Sequence, residues 1–159
     1  MTPALFMLIG APGTGKSTWI SNQQLDWSRT VLVSSDGHIE EYAKSQGRTY
    51  SDVFKEYMGT ATQLMMNDIT DAINKDYDII WDQTNMSAKA RKRKLQAIPL
   101  HYEKYALVFE LPDETEHARR LASRPGKNIS PDIINNMVKS FNMPTTDEGF
   151  DQIITINNE

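Results

Sequence analysis

The chain alternates short, unbroken apolar runs with longer stretches in which apolar residues recur every three or four positions. Residues 4–9, Ala-Leu-Phe-Met-Leu-Ile, are apolar throughout and stop at Gly10, the pattern of a strand buried on both faces of a parallel sheet. Similar runs occupy Thr30–Val33, Asp78–Trp81, Tyr105–Leu111 and Gln152–Ile156. Between them the period lengthens. Val53, Tyr57, Ala61, Leu64, Met65, Ile69 and Ile73 predict a helix from about Ser51, which can cap it, to Lys75. Ser17–Gln24, Ser87 or Ala88 to Ala97, Glu114–Ser123 and Pro131–Asn142 are further helical candidates. Met65 and Met66 read as core filler.

Strands that alternate with helices predict a three-layer α/β domain over residues 1–159, with a mostly parallel sheet of about five strands. Ligands in such sheets bind beyond the carboxyl ends of the strands. Arg124-Pro125-Gly126-Lys127-Asn128 breaks two helical patterns, so a small mobile lid is expected around residues 120–131.

Composition narrows the picture by exclusion. With 159 residues and 39% hydrophobic content, one domain can bury a core without staples. There is no cysteine, and His38, His101 and His117 are widely spaced, which excludes a disulfide framework and a thiolate metal site. No run approaches the roughly 20 apolar residues that span a bilayer, and the first residues lack a secretory pattern; a cytoplasmic location without a membrane partner is expected. The net charge of -4 gives no global field for coating nucleic acid, which leaves room only for a local basic groove.

The chemistry begins at the first strand's end. Gly10-Ala-Pro-Gly-Thr-Gly-Lys-Ser17 has the spacing of a phosphate-binding P-loop. Gly13 and Gly15 let backbone N–H groups turn inward, Lys16 reaches the β- and γ-phosphate oxygens, and the Ser17 hydroxyl ligates magnesium directly. The expected ATP site is therefore Gly10, Ala11, Pro12, Gly13, Thr14, Gly15, Lys16, Ser17 and Thr18, with Arg120 and Arg124 closing on the phosphates. Asp36, just past the second strand, is placed either to accept a proton from an attacking hydroxyl or to cap a helix from Gly37 onward. Asp82 ends the third strand, where a carboxylate holds a magnesium-bound water in P-loop enzymes; a cap or turn is the alternative. Arg119 reads as solvated surface. Lys89, Arg91, Lys92, Arg93 and Lys94 put five positive charges into six residues. Such a run is ordinarily a solvated helix face, but beside a catalytic edge it also suits a polyanionic acceptor.

With these residues identified, the chain resembles the kinase domain of the polynucleotide 5′-hydroxyl kinases, the bacteriophage type above all, nearly end to end. The resemblance rests on residues 10–19, Ser34-Ser35-Asp36, Asp82-Gln83-Thr84-Asn85, Arg120 with Arg124, Ser130-Pro131-Asp132 with Met137, and Pro144-Thr145 with Glu148-Gly149-Phe150-Asp151. It implies transfer of the ATP γ-phosphate to the 5′-hydroxyl of DNA or RNA, with Asp36 as general base and Arg124 on the transferring group; Lys16 and Arg120 complete the expected catalytic set. Where relatives often carry an acceptor-gripping Arg, this chain has Ile39, so acceptor contacts are expected instead from His38, Thr84, Asn85, Lys89, Arg91 and Arg93. A stand-alone kinase without a phosphatase domain is implied. A small-molecule kinase for a nucleoside, nucleotide or sugar, and a nucleotide-binding regulatory or toxin-like module, are the alternatives.

Overall fold

A computed structural model describes residues 2–124, 126–127 and 129–157. In chain order the elements are β1 (Ala4–Ile9), α1 (Lys16–Asn22), β2 (Thr30–Val33), α2 (Ser35–Ser45), α3 (Tyr50–Asn74), β3 (Asp78–Asp82), α4 (Ala88–Gln96), β4 (Glu103–Phe109), α5 (Glu114–Ala122), α6 (Pro131–Lys139), a 3-10 turn at Thr146–Glu148, and β5 (Gln152–Ile156). The strands pair in the order β2-β3-β1-β4-β5, every pair parallel. All five carboxyl ends therefore open on one edge, where the P-loop, Asp36 and Asp82 lie.

The central place of β1 explains its unbroken apolar run. Leu5 and Met7 register with Ile79 and Trp81 on one side, and Leu8 with Leu107 on the other. Leu5, Met7, Ile9, Ile79, Trp81, Ala106 and Val108 pack with Met65, Ile69 and Ala72 of α3 and Leu95 of α4. On the opposite face Leu8, Ile80, Leu107 and Phe109 meet Trp19 and Ile20 of α1. The result is the expected three-layer P-loop fold with a five-stranded sheet.

Several boundaries differ from expectation, each for a local reason. The long helix starts at Tyr50 because Thr49, not Ser51, caps it: Thr49 Oγ1 accepts from the Asp52 N–H and Asp52 Oδ2 from the Thr49 N–H, both at 3.2 Å. The fourth strand runs from Glu103 to Phe109, two residues earlier than its apolar run. Its polar start is held by Lys104, whose buried Nζ donates to the carbonyls of Pro99 and Tyr102 at 3.1 and 3.3 Å. Helix α6 ends at Lys139 rather than Asn142. Helix α2 was expected only as an alternative, a helix from Gly37 onward capped by Asp36, and it starts at Ser35 instead; only Ile39 and Ala43 of it are buried apolar residues, against Val53 and Ala61 of α3. Of the segment expected as a lid, Pro125 and Asn128 lie outside the described residues.

Candidate active site

Glycine is required in the loop after β1 for two separate reasons. Gly13 and Gly15 have φ of 78° and 97°, the left-handed region that L side chains rarely adopt. At Gly10 the reason is space, since an added Cβ would fall 2.8 Å from Thr14 Oγ1 and 3.0 Å from Phe109 Cβ. Buried Thr14 locks the loop from inside by donating to the Ala11 carbonyl at 2.8 Å. The Gly10 N–H donates to the Thr84 carbonyl at 2.9 Å, tying the loop to the segment after β3.

Lys16 leans back across this loop and donates from Nζ to the Gly10 carbonyl at 2.8 Å. Burial lowers its pKa from the ordinary lysine value, with Asp82 and Asp36 opposing that shift and Arg124 adding to it. Burial likewise raises the pKa of Asp82, against the attraction of Lys16 and with the repulsion of Asp36. These four charges thus act on one another across a crevice of about 850 Å³. Ser17, Thr18, Gln83, Thr84, Glu40, Arg120 and Lys127 also line it.

The carboxylate of Asp36 is not used as a helix cap. Ser34 caps α2, its Oγ accepting from the Gly37 N–H at 3.3 Å. Asp36 sits in the first turn instead, with Oδ1 accepting from the Tyr50 hydroxyl at 2.6 Å. A short relay braces the same turn: Trp81 Nε1 donates to Gln83 Oε1, and Gln83 Nε2 to Ser35 Oγ, both at 3.0 Å.

The opposite wall comes from α5. His117 Nε2 donates to the Pro12 carbonyl at 2.7 Å and Arg120 Nη1 to the Gly13 carbonyl at 3.3 Å, so this helix clasps the phosphate loop. Glu116 accepts from Arg119 and Arg120, and these bonds push its carboxyl down to about 2. Arg124 lines the crevice, and its Nη1 is buried without a hydrogen-bond partner among the described residues. His117 was not singled out from sequence. Its spacing to Arg120 and Arg124, three and then four residues, is the signal that could have found it.

Three of the expected acceptor residues are engaged elsewhere in the fold. Arg91 is fully buried; it donates to both Glu148 carboxylate oxygens and to the carbonyls of Asn85, Met86 and Asn142. It staples two loops and leaves no donor facing solvent. Asn85 is buried at φ 51°, donates to the Leu8 carbonyl at 2.8 Å, and receives Lys94 on Oδ1. His38 turns toward α3, Nε2 lying 2.7 Å from Asp68 Oδ2, and does not line the crevice. Thr84 does. Lys89, Lys92 and Arg93 lie exposed on the outer face of α4, and no ion pair engages them among the described residues.

Lys94 faces inward, 5.5 Å over the Trp81 ring. Burial, with the charge of Lys16, pushes its ammonium down to about 8. Between that value and the ordinary 10.5, the unfolded chain binds more protons at this site than the folded one, so this group makes stability rise with pH across that window. The stability of wild type minus that of Lys94→Met, from urea unfolding, is expected to climb between about pH 8 and 10.5. A flat difference would mean that Lys94 is solvated like any surface lysine.

Among the described residues no group of three or more His, Cys, Asp or Glu side chains gathers to cage a metal. Magnesium at such a site commonly takes one or two protein oxygens, with substrate phosphates and waters supplying the rest. The exposed Ser17 hydroxyl and the Asp82 carboxylate beside Lys16 are a donor set of that kind.

A family model described as an AAA domain matches residues 5–144. The human NEDD4-binding protein 2 is 30% identical over 140 residues, covering 86% of this chain but 8% of that protein. A chain in a solved structure of the Pnkp1/Rnl/Hen1 RNA repair complex superposes with a TM-score of 0.66 at 23% identity, covering 87% of this chain and 44% of that one. A gluconokinase from Sinorhizobium meliloti 1021 superposes with a TM-score of 0.54 at 14% identity, over 98% of this chain and 83% of that one. The chain thus spans a small part of the human relative and less than half of the RNA repair chain.

Proposed function

The chain belongs to the AAA domain family, and from that premise we propose that it is an ATP- and magnesium-dependent kinase acting on the 5′-hydroxyl end of a polynucleotide, like the bacteriophage-type kinases it resembles. The observation that carries this proposal is Arg124, a guanidinium whose buried Nη1 has no hydrogen-bond partner among the described residues and which lines the crevice that also holds Lys16, Asp36 and Asp82. An unmet buried donor costs stability. An anionic phosphoryl group is the partner that would satisfy it.

In the proposed reaction the acceptor hydroxyl oxygen forms a bond to the γ-phosphorus, the bond from that phosphorus to the β–γ bridging oxygen breaks, ADP leaves, and the hydroxyl proton passes to Asp36. Lys16 neutralises charge on the β- and γ-phosphates, and Arg124 and Arg120 do so on the transferring group. Ser17 and Asp82 would hold magnesium, Asp82 through water, and the bound ion would supply further charge neutralisation at the phosphates. Glu116 keeps the Arg120 guanidinium in place beside the loop.

Lys89, Lys92 and Arg93 support a polyanionic acceptor. They stand at helical spacing on one exposed face of a chain whose net charge is -4. A second proposal, a small-molecule acceptor, is favoured by the crevice wall built from β2 and α2, which carries Leu32, Asp36 and Glu40, while Ile39 is fully buried. Reversing Lys89, Lys92 and Arg93 to Glu separates the two. For a polynucleotide kinase, oligonucleotide affinity is expected to fall, and each lost phosphate contact to reduce the magnitude of the log–log salt slope by roughly 0.7 for single strands. ATP affinity is expected to stay unchanged. Acceptor affinity and salt slope at wild-type values would make the face a solvated surface and favour the small-molecule acceptor.

A further inference from the structure

A chain of contacts links Asp36 to residues 126–127. The Tyr50 hydroxyl donates to Asp36 Oδ1 at 2.6 Å. Burial, then the facing Asp36 carboxylate, hold the Tyr50 proton well above the usual tyrosine range, so the phenol remains a donor at any working pH. Over the Tyr50 ring, 4.9 Å from its centroid, sits the ammonium of Lys127, which also pairs with Glu40 of α2. The Ser51 N–H donates to the Gly126 carbonyl at 3.1 Å. A Cβ added at Gly126 would fall 3.1 Å from Thr49 Cβ, so this backbone lies directly on the first turn of α3.

We propose that Tyr50 is a positioning residue, coupling the placement of residues 126–127 to the orientation of the Asp36 carboxylate; this rests on the proposed role of Asp36 as the base. The terminal torsion of an aspartate is broad and roughly two-fold. One donor fixed on Oδ1 selects which oxygen is left for an incoming hydroxyl. Lys127 does not reach Asp36 through a hydrogen bond or ion pair of its own; it acts on the ring whose hydroxyl does. Movement of the 126–127 backbone would therefore be felt at the base through Tyr50, and the base would be aligned when that segment is seated.

Two measurements test this. In protein labelled with ¹³C at aspartate, the Asp36 carboxyl resonance is assigned by its loss in Asp36→Asn. Tyr50→Phe is expected to move it. Lys127→Met is expected to move it in the Tyr50 protein and not in the Tyr50→Phe protein, whereas a direct field from the Lys127 charge would persist in both. In single-turnover transfer with saturating ATP and oligonucleotide, Tyr50→Phe is expected to slow the step by about tenfold to a hundredfold, in line with small misplacements of reacting groups. ATP affinity and melting temperature should hold, and the substitution should cost nothing further in the Asp36→Asn background. A purely structural tyrosine would instead lower the melting temperature and slow both backgrounds equally. An Asp36 resonance indifferent to Tyr50→Phe, or a Lys127 effect that survives it, overturns the coupling. If wild type labels no acceptor, the kinase proposal fails, and the resonance cycle still decides the coupling on its own.

Discussion

Lys16→Ala is expected to lower phosphoryl transfer by at least about a hundredfold to a thousandfold, the range measured for removing one preorganised donor from a site of developing negative charge. The side chain belongs to none of the core clusters, and its Nζ donates to the Gly10 carbonyl. Burial disfavours its charged form, so truncation removes a desolvated ammonium as well as a contact. The melting curve should therefore stay close to that of wild type. Measured with ATP and acceptor in excess, retained turnover beside a normal melting curve would remove Lys16 from the mechanism.

Asp36→Asn is expected to reduce single-turnover transfer by about a hundredfold to ten-thousandfold, the usual contribution of a general base. Asn keeps the shape and an oxygen to accept from Tyr50, but it takes up no proton. Structure and function make separable forecasts here because Ser34, not Asp36, caps α2. Asp36→Ala should thus escape the ~1 kcal/mol cost of a lost cap, and Ser34→Ala should incur it. Near wild-type transfer in the Asn variant would end the claim that Asp36 takes the proton.

What could be read from the chain beforehand divides along physical lines. Strand β1 and its glycine loop were legible because a strand buried on both faces must be apolar at every position, and because Gly13 and Gly15 adopt a conformation that other residues avoid. The order of strands and helices followed from the change of period. Helix α2 was legible only as one alternative for the residues after Asp36, since its buried apolar stripe is only Ile39 and Ala43. The basic run after Asn85 was legible only in part, for a different reason. Charge on a helix says nothing about which residues face inward, and Arg91 and Lys94 turned out to hold Asn85 and its loop while Lys89, Lys92 and Arg93 stayed outside. Tyr50 and Lys127 were given no role because their partners, Asp36 and Glu40, lie at separations that no local pattern encodes, whereas the helical spacing of His117 to Arg120 and Arg124 put it within reach although its partner, Pro12, is remote.

The most direct measurement is to incubate the protein with γ-labelled ATP, magnesium and a panel of 5′-hydroxyl oligonucleotides of DNA and RNA, nucleosides, nucleotides and sugars. Label is expected on oligonucleotide 5′ ends, and its appearance should depend on Lys16 and Asp36. Label on a small molecule, with the oligonucleotides left untouched, would contradict the polynucleotide acceptor.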